Sequence, residues 1–204
     1  MKRSVHILKG VPRLFVMLLM GMPLSLVQAA TDCNQVTEIP VAECEALLDL
    51  YHQTNGSNWN RNSGWNETNT PCSWGGVTCG GGYVTELSLS YNRLSGLIPG
   101  SIGQLRQLTL LNFRKNQLSG PIPESLGQLS QLKELNLGSN QLSGPIPESL
   151  GQLSQLTVLR LNENQLSGPI PESLGQLSQL TVLRLNENQL SGPIPESLGQ
   201  LSQL

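Results

Sequence analysis

The chain is poor in the groups that do chemistry. Its 204 residues include two histidines, His6 and His52, and only 13% are charged. The 12 Lys and Arg against 14 Asp and Glu leave a formal net charge of -2. A protein that grips a phosphate backbone concentrates Lys and Arg on one face, and this balance offers no such footprint, so DNA and RNA are set aside as partners. With one histidine near the start of the chain and the other ahead of the periodic region, no Ser-His-Asp or Cys-His arrangement can be assembled, and a histidine metal cluster lacks material. The expectation is a non-catalytic protein without cofactor or metal. Cysteine is absent beyond Cys79, and no apolar run beyond Val27 approaches the length of a membrane span.

What the chain has instead is a period. Asn92, Asn116, Asn140, Asn164 and Asn188 stand 24 residues apart, each closing a segment that reads L-x-x-L-x-L-x-x-N, and residues 141–164 are copied without change in 165–188. A fixed period of this size signals a solenoid, in which one unit cannot bury its apolar residues alone and neighbours stack into a continuous core. Within a unit the x-L-x-L segment can lie extended. Leu135 and Leu137 then point inward while Glu134, Asn136 and Gly138 point outward, and successive strands pair in parallel. Asn140 turns the chain off the strand where backbone groups would be buried without partners, and its amide both donates and accepts, so the five asparagines are read as a buried structural ladder. Leu142 and Ile146 supply the next core layer, and Ser143, Gly144 and Pro145 supply turn chemistry. Pro147 and Glu148 sit where a short helix or 3₁₀ turn begins, with proline expected at the first helical position. Glu124, Glu148, Glu172 and Glu196 form a column that lacks the alternating oxygen ligands of a calcium loop, and is read as a solvated edge.

The start of the chain reads differently. Lys2, Arg3, Lys9 and Arg13 precede an apolar run over 14–27 and then the small residues Ala29 and Ala30, the layout of a secretory signal peptide over 1–29. A membrane anchor needs ~20 apolar residues, more than this run supplies, and Pro23 interrupts it. Lipidation is disfavoured because Cys33 follows Asp32. The product is expected to be secreted, periplasmic or on the cell surface, with no membrane span after cleavage.

Residues 30–82 are expected to form a cap. Its four cysteines, Cys33, Cys44, Cys72 and Cys79, are an even count in an exported chain and imply two disulfides. Three connectivities are open. The local pairs Cys33 with Cys44 and Cys72 with Cys79 are favoured, since each closes a short loop on one side of the intervening segment; a zinc site is disfavoured by spacings that are not C-x-x-C. Between them, Ala46, Leu47, Leu50 and Tyr51 recur at helical spacing and predict a short amphipathic helix over 43–51. Trp59, Trp65 and Trp74 are all the tryptophans in the protein. They are read as rings covering the open end of the first repeat, in preference to a sugar-stacking platform.

The motifs ALLDLY, NWNRNSGW and PCSWGGVTC, within 46–79, resemble the N-terminal cap of extracellular leucine-rich repeat proteins, and Val84 onward resembles the repeats themselves. The unit LKELNLGSNQLSGPIPESLGQL over 132–153 is similar to the subtype called plant-specific. The resemblance implies an α/β fold: a right-handed horseshoe solenoid with a parallel sheet on the concave face and short helical or 3₁₀ segments on the convex side. It also implies a second short strand at LSGPIP, and about five repeats over 83–204, the last incomplete. It further implies that a protein, peptide or glycan binds the concave face, where the outward positions include Tyr91, Arg114 and Lys115, then Glu134 and Asn136, then Arg160, Asn162 and Glu163, and last Arg184, Asn186 and Glu187. Tyr91, Arg114, Arg160 and Arg184 are the preferred contacts, because Tyr and Arg are enriched among binding hot spots.

Three further expectations complete the reading. The sequence stops at Leu204 inside a repeat, read as a fragment of a longer array such as a receptor-like ectodomain, or as an end covered by association with another chain. Identical rungs, Arg160 with Arg184 and Asn162 with Asn186, raise a structural or ice-binding role as the alternative, against which the outward positions are charged and bulky. The sequons Asn55-Gly56-Ser57 and Asn66-Glu67-Thr68 would accept glycans in a glycosylating host.

Overall fold

In the computed structural model, which describes residues 30–204, each period of the sequence becomes one coil of a solenoid. The predicted leader over 1–29 lies outside the described residues. The strands are β1 (Val77–Gly80), β2 (Tyr83–Ser88), β3 (Ser95–Leu97), β4 (Leu110–Asn112), β5 (Gln117–Gly120), β6 (Glu134–Asn136), β7 (Gln141–Gly144), β8 (Val158–Arg160), β9 (Gln165–Gly168), β10 (Val182–Arg184) and β11 (Gln189–Leu190). They form two sheets. The first has six strands in the order β1-β2-β4-β6-β8-β10; the second has five, in the order β3-β5-β7-β9-β11. Only the β1–β2 hairpin is antiparallel, whereas β2 to β10 run parallel with Leu87, Leu111, Leu135, Leu159 and Leu183 in register.

Register follows from the period-2 alternation of each strand. A slip of one residue would turn the leucines out to solvent and the polar residues into the core. Leu111, Leu135 and Leu159 have no solvent exposure, and the second sheet contributes Leu118, Leu142 and Leu166 to the same core. A 3₁₀ turn then closes each coil on the convex side, as at Glu124–Gln128 and Glu148–Gln152. Pro147 is not the first helical residue, as the sequence reading expects; it is the N-cap, with ψ of 134° in the extended region, and Glu148 opens the turn. The ring fixes φ alone, so proline serves an extended cap as well as a helical start. These turns stack closely: a Cβ on Gly127 would lie 2.5 Å from the Ser149 carbonyl oxygen of the next coil. Such an approach leaves room only for glycine.

The cap closes the cap-proximal end of this core. Helix α1 (Val41–Gln53) is longer than its apolar spacing predicts, extending two residues at each end from Pro40 as N-cap. It buries Cys44, Ala46, Leu47 and Leu50 and packs on the first 3₁₀ turn of the repeats, Gly100–Gln104. Disulfides join Cys33 to Cys44 and Cys72 to Cys79. Trp59, Trp65 and Trp74 are all buried, with successive ring centroids 5.0 Å apart, and each indole N–H finds an oxygen: Trp59 the Thr54 carbonyl, Trp65 the Gly75 carbonyl, Trp74 the Thr68 hydroxyl. Buried indoles without such acceptors would carry a desolvation penalty.

At the other end the packing thins. Ile194 is 77% exposed where its counterpart Ile146 is 3% exposed, and Leu183, Leu185, Leu190 and Leu198 are only partly buried. No helix among the described residues is long and apolar enough to cross a membrane.

Candidate ligand-binding face

The ladder sets the geometry of this face. The Asn164 amide donates to the carbonyls of Leu161, in its own coil, and Leu137, in the coil before, each at 3.1 Å, while its oxygen accepts the Leu142 N–H at 2.9 Å. Asn140 and Asn188 repeat the pattern, as does Asn116 with Leu89, Phe113 and Leu94. Asn92 has the cap as its preceding layer. Its oxygen accepts the Arg61 N–H, and its amide donates to the Arg61 carbonyl. Every one of these bonds joins a side-chain amide to a backbone N–H or carbonyl, so the amides are spent on scaffold.

Because the ladder holds each coil at one phase, the outward residues fall into columns. Ser88, Asn112, Asn136, Arg160 and Arg184 share one; Ser90, Arg114, Gly138, Asn162 and Asn186 share the next; Tyr91, Lys115, Ser139, Glu163 and Glu187 form a rim where the chain leaves the sheet. The rim residues all adopt the left-handed conformation, with φ between 53° and 58°. Such a backbone holds each side chain off the end of its strand.

Six of the predicted contacts converge. Arg114, Asn136, Arg160, Asn162, Glu163 and Arg184 line a cavity of about 340 Å³. Gly138, the single position in its column without a side chain, stands between Arg114 and Asn162 in that column, and a Cβ there would come within 2.9 Å of the Asn162 amide oxygen. Strand alternation places Gly138 outward but does not name it as a contact. The signal was its departure from the neighbouring copies, which carry Arg114, Asn162 and Asn186 at the same place.

The charges on this face differ in their commitments. Arg160 donates to the Glu134 carboxylate at 3.0 Å, the only ion pair among the described residues. Glu163 accepts the Ser139 hydroxyl at 2.7 Å and the Asn162 amide at 2.9 Å. Its carboxyl is held below the usual carboxylate range, first by the Ser139 hydrogen bond, then by that of Asn162 and by the positive charges of Arg114 and Lys115. Among the described residues, no carboxylate lies within ion-pair distance of Arg114 or Arg184. At the cap end of the rim, Tyr91 is 56% exposed, with the Lys115 ammonium 5.0 Å and the Arg114 guanidinium 5.9 Å from its ring centre, both within cation–π range.

Not every predicted contact is free to meet a ligand. Asn136 and Asn162 are buried, at 5% and 9% exposure. Asn136 accepts the Gly138 N–H and Asn162 donates to Glu163, so they form the floor of the cavity rather than its projecting groups. Asn186, Glu187 and Arg184, on the last described coil, are exposed; Tyr91, Lys115, Glu134, Asn186 and Glu187 lie outside the cavity lining.

Comparison with known proteins agrees with this geometry. Residues 42–80 match the leucine rich repeat N-terminal domain, and residues 82–142, 155–177 and 179–201 match the leucine rich repeat. The ectodomain of the receptor kinase SOBIR1 from Arabidopsis thaliana superposes with a TM-score of 0.70 at 31% identity, over 81% of this chain and 90% of that one. The chain belongs to the leucine-rich repeat family. The ectodomain of the plant membrane receptor kinase GASSHO1/SCHENGEN3 from Arabidopsis thaliana, solved in complex with CASPARIAN STRIP INTEGRITY FACTOR 2, superposes with a TM-score of 0.72 at 38% identity, over 79% of this chain and 20% of that one. A plant ice-binding protein gives 0.71 at 34% identity, over 81% and 54%. Among curated relatives, a probable inactive receptor kinase of Arabidopsis thaliana, RLK902, is 43% identical over 75 residues, which is 36% of this chain and 11% of the relative. The chain thus spans a small part of the curated receptors it matches. With two disulfides in its cap, this leucine-rich repeat domain is an extracellular one.

Proposed function

We propose that this leucine-rich repeat protein is an exported, non-catalytic binding module that holds a protein or peptide across its concave face. The observation that carries the reading is the cavity of about 340 Å³ where three arginines meet Asn136, Asn162 and Glu163 on a face otherwise built of repeated side chains. Arginine presents five donors in a fixed fork, and Arg114 and Arg184 hold none of theirs on a neighbouring carboxylate. Receptor ectodomains of the same fold, one of them solved with its partner, support the assignment. The test is a screen of secreted peptides and proteins against the immobilised domain, followed by paired variants. Arg114→Ala with Arg184→Ala should weaken a captured ligand by about tenfold or more, in the range of hot-spot truncations, while Glu148→Ala on the convex edge leaves it unchanged. The reverse pattern would move the binding surface elsewhere.

The likeness to a plant ice-binding protein and the identical rungs Arg160/Arg184 and Asn162/Asn186 favour a second reading, a lattice-matching surface. Against it, Asn162 is bonded to Glu163 and buried, and the charged residues make this face uneven. Thermal hysteresis that vanishes when Asn162 and Asn186 are replaced would reverse the ranking.

A further inference from the structure

The rim carries information that the concave cavity does not. Its five residues share one backbone conformation and one orientation, so their chemistry alone varies along the solenoid. Toward the cap stand Tyr91 and Lys115, joined by Arg114 from the adjoining column in a cation–π cluster. Ser139 in the middle is neutral. Away from the cap stand Glu163 and Glu187, both exposed. The surface therefore runs from aromatic and cationic to acidic across four coil steps, about 19 Å at the strand spacing of a sheet. Within it Lys115 and Glu187 have no ion-pair partner among the described residues, so neither charge is neutralised in place. The concave cavity adjoins the rim at Glu163, which lines it together with Arg160 and Arg184.

We propose that the rim selects an extended peptide segment of polarised charge, lying across the coils with its acidic end on Tyr91, Arg114 and Lys115 and its basic end on Glu163 and Glu187. This rests on the concave-face reading above and specifies the chemistry of the ligand. An extended chain covers about 3.3 Å per residue, so the gradient matches a segment of about six residues. Opposite charges at both ends fix direction, since the reversed peptide sets like charges against each other; complementarity of this kind contributes orientation and specificity more than affinity. Tyr91 adds an anchor whose ring is already held by two cations.

Two probes of one composition test the polarity: acetyl-Asp-Asp-Asp-Ser-Gly-Lys-Lys-Lys-amide, and the alternating acetyl-Asp-Lys-Asp-Ser-Gly-Lys-Asp-Lys-amide, each titrated into isotopically labelled domain at low salt. The block peptide should bind about fivefold more tightly, the sum expected of two or three exposed ion pairs. A nitroxide on its acidic end should broaden the amide signals around Tyr91 and Lys115, and one on its basic end those around Glu163 and Glu187. The double variant Lys115→Glu, Glu187→Lys, at exposed positions that leave the circular dichroism unchanged, should weaken the block peptide and bring its acidic end toward residue 187. Equal affinities, or broadening that ignores which end is labelled, would overturn the polarity while perturbations on the concave face leave the binding-face reading intact. Perturbations confined to another surface would overturn both. A salt-sensitive dimer by sedimentation, abolished by the charge swap, would give the rim to a second copy of the chain and overturn the peptide assignment.

Discussion

At the cap, three indoles, one helix and two disulfides close the core with parts that occur once. In the repeats each rung is closed by one asparagine and a few leucines that recur every 24 residues. The difference teaches where stability is concentrated. A cap residue touches partners far away in sequence, as Arg61 touches Asn92, and has no duplicate to share its load. A repeat residue touches its own coil and the next, so its loss is felt locally and the solenoid behaves as a chain of neighbours.

Substitutions in the two regions should break or sharpen this contrast. The largest effect is expected at Trp65, fully buried and packed between Trp59, edge to face, and the tilted ring of Trp74. Trp65→Ala should lower the unfolding free energy by about 3–5 kcal/mol, measured by chemical denaturation; a loss no larger than that of a ladder substitution would remove the distinction. In the ladder, Asn164→Ala leaves the Leu142 N–H without its acceptor, while the Leu137 and Leu161 carbonyls keep Asn140 and Asn188 as donors, and should cost about 1–3 kcal/mol. Asn188→Ala, on a coil with less cover, should cost less, and hydrogen exchange should show the opening confined to the adjoining coils in both cases.

Carboxylates of the two regions should titrate with opposite sign. Glu43 of the cap is buried, and desolvation raises its carboxyl above the ordinary value although it accepts the Val84 N–H. The folded state therefore holds that proton more tightly than the unfolded state. The group's stabilising contribution is full below the ordinary carboxylate value and fades as pH rises through the raised one. Thermal melts of wild type and Glu43→Gln should diverge over that window, wild type losing ground as pH rises. Glu163 on the rim is lowered, so its contribution is present above the ordinary value and lost as pH falls through the lowered one. Glu163→Gln should flatten that acid limb, and an identical pH profile for both variants would contradict the assignment. The smallest effect belongs to the rim backbone: Glu187, at φ of 58°, pays a left-handed strain that asparagine tolerates, so Glu187→Asn should raise the melting temperature slightly, by about half a kcal/mol in free energy.

Much of the fold was legible because periodic features are local. The L-x-x-L-x-L-x-x-N spacing foretold which leucines enter the core and which residues face outward, and the motifs of 46–79 foretold a capped leucine-rich repeat array. Boundaries were less legible. Helix α1 runs past its apolar stripe because Pro40 supplies a start that the stripe does not mark, and Pro147 caps a turn rather than beginning it. The candidate face was legible as columns but not as a surface. Nothing in the text of a repeat says that Asn136 and Asn162 are buried while Tyr91 stands clear, since that depends on what lies one coil away.

The sequence by itself determined the period, the direction in which each strand residue points and the chemistry of the rim, because those follow from a side-chain alternation of two and a repeat of 24 residues. Tertiary structure alone decided which outward residues are free. Stacking coils about 4.8 Å apart makes every exposed position a matter of its neighbours, and the cavity exists only because side chains from four coils, Arg114, Asn136, Arg160 and Arg184 among them, meet there.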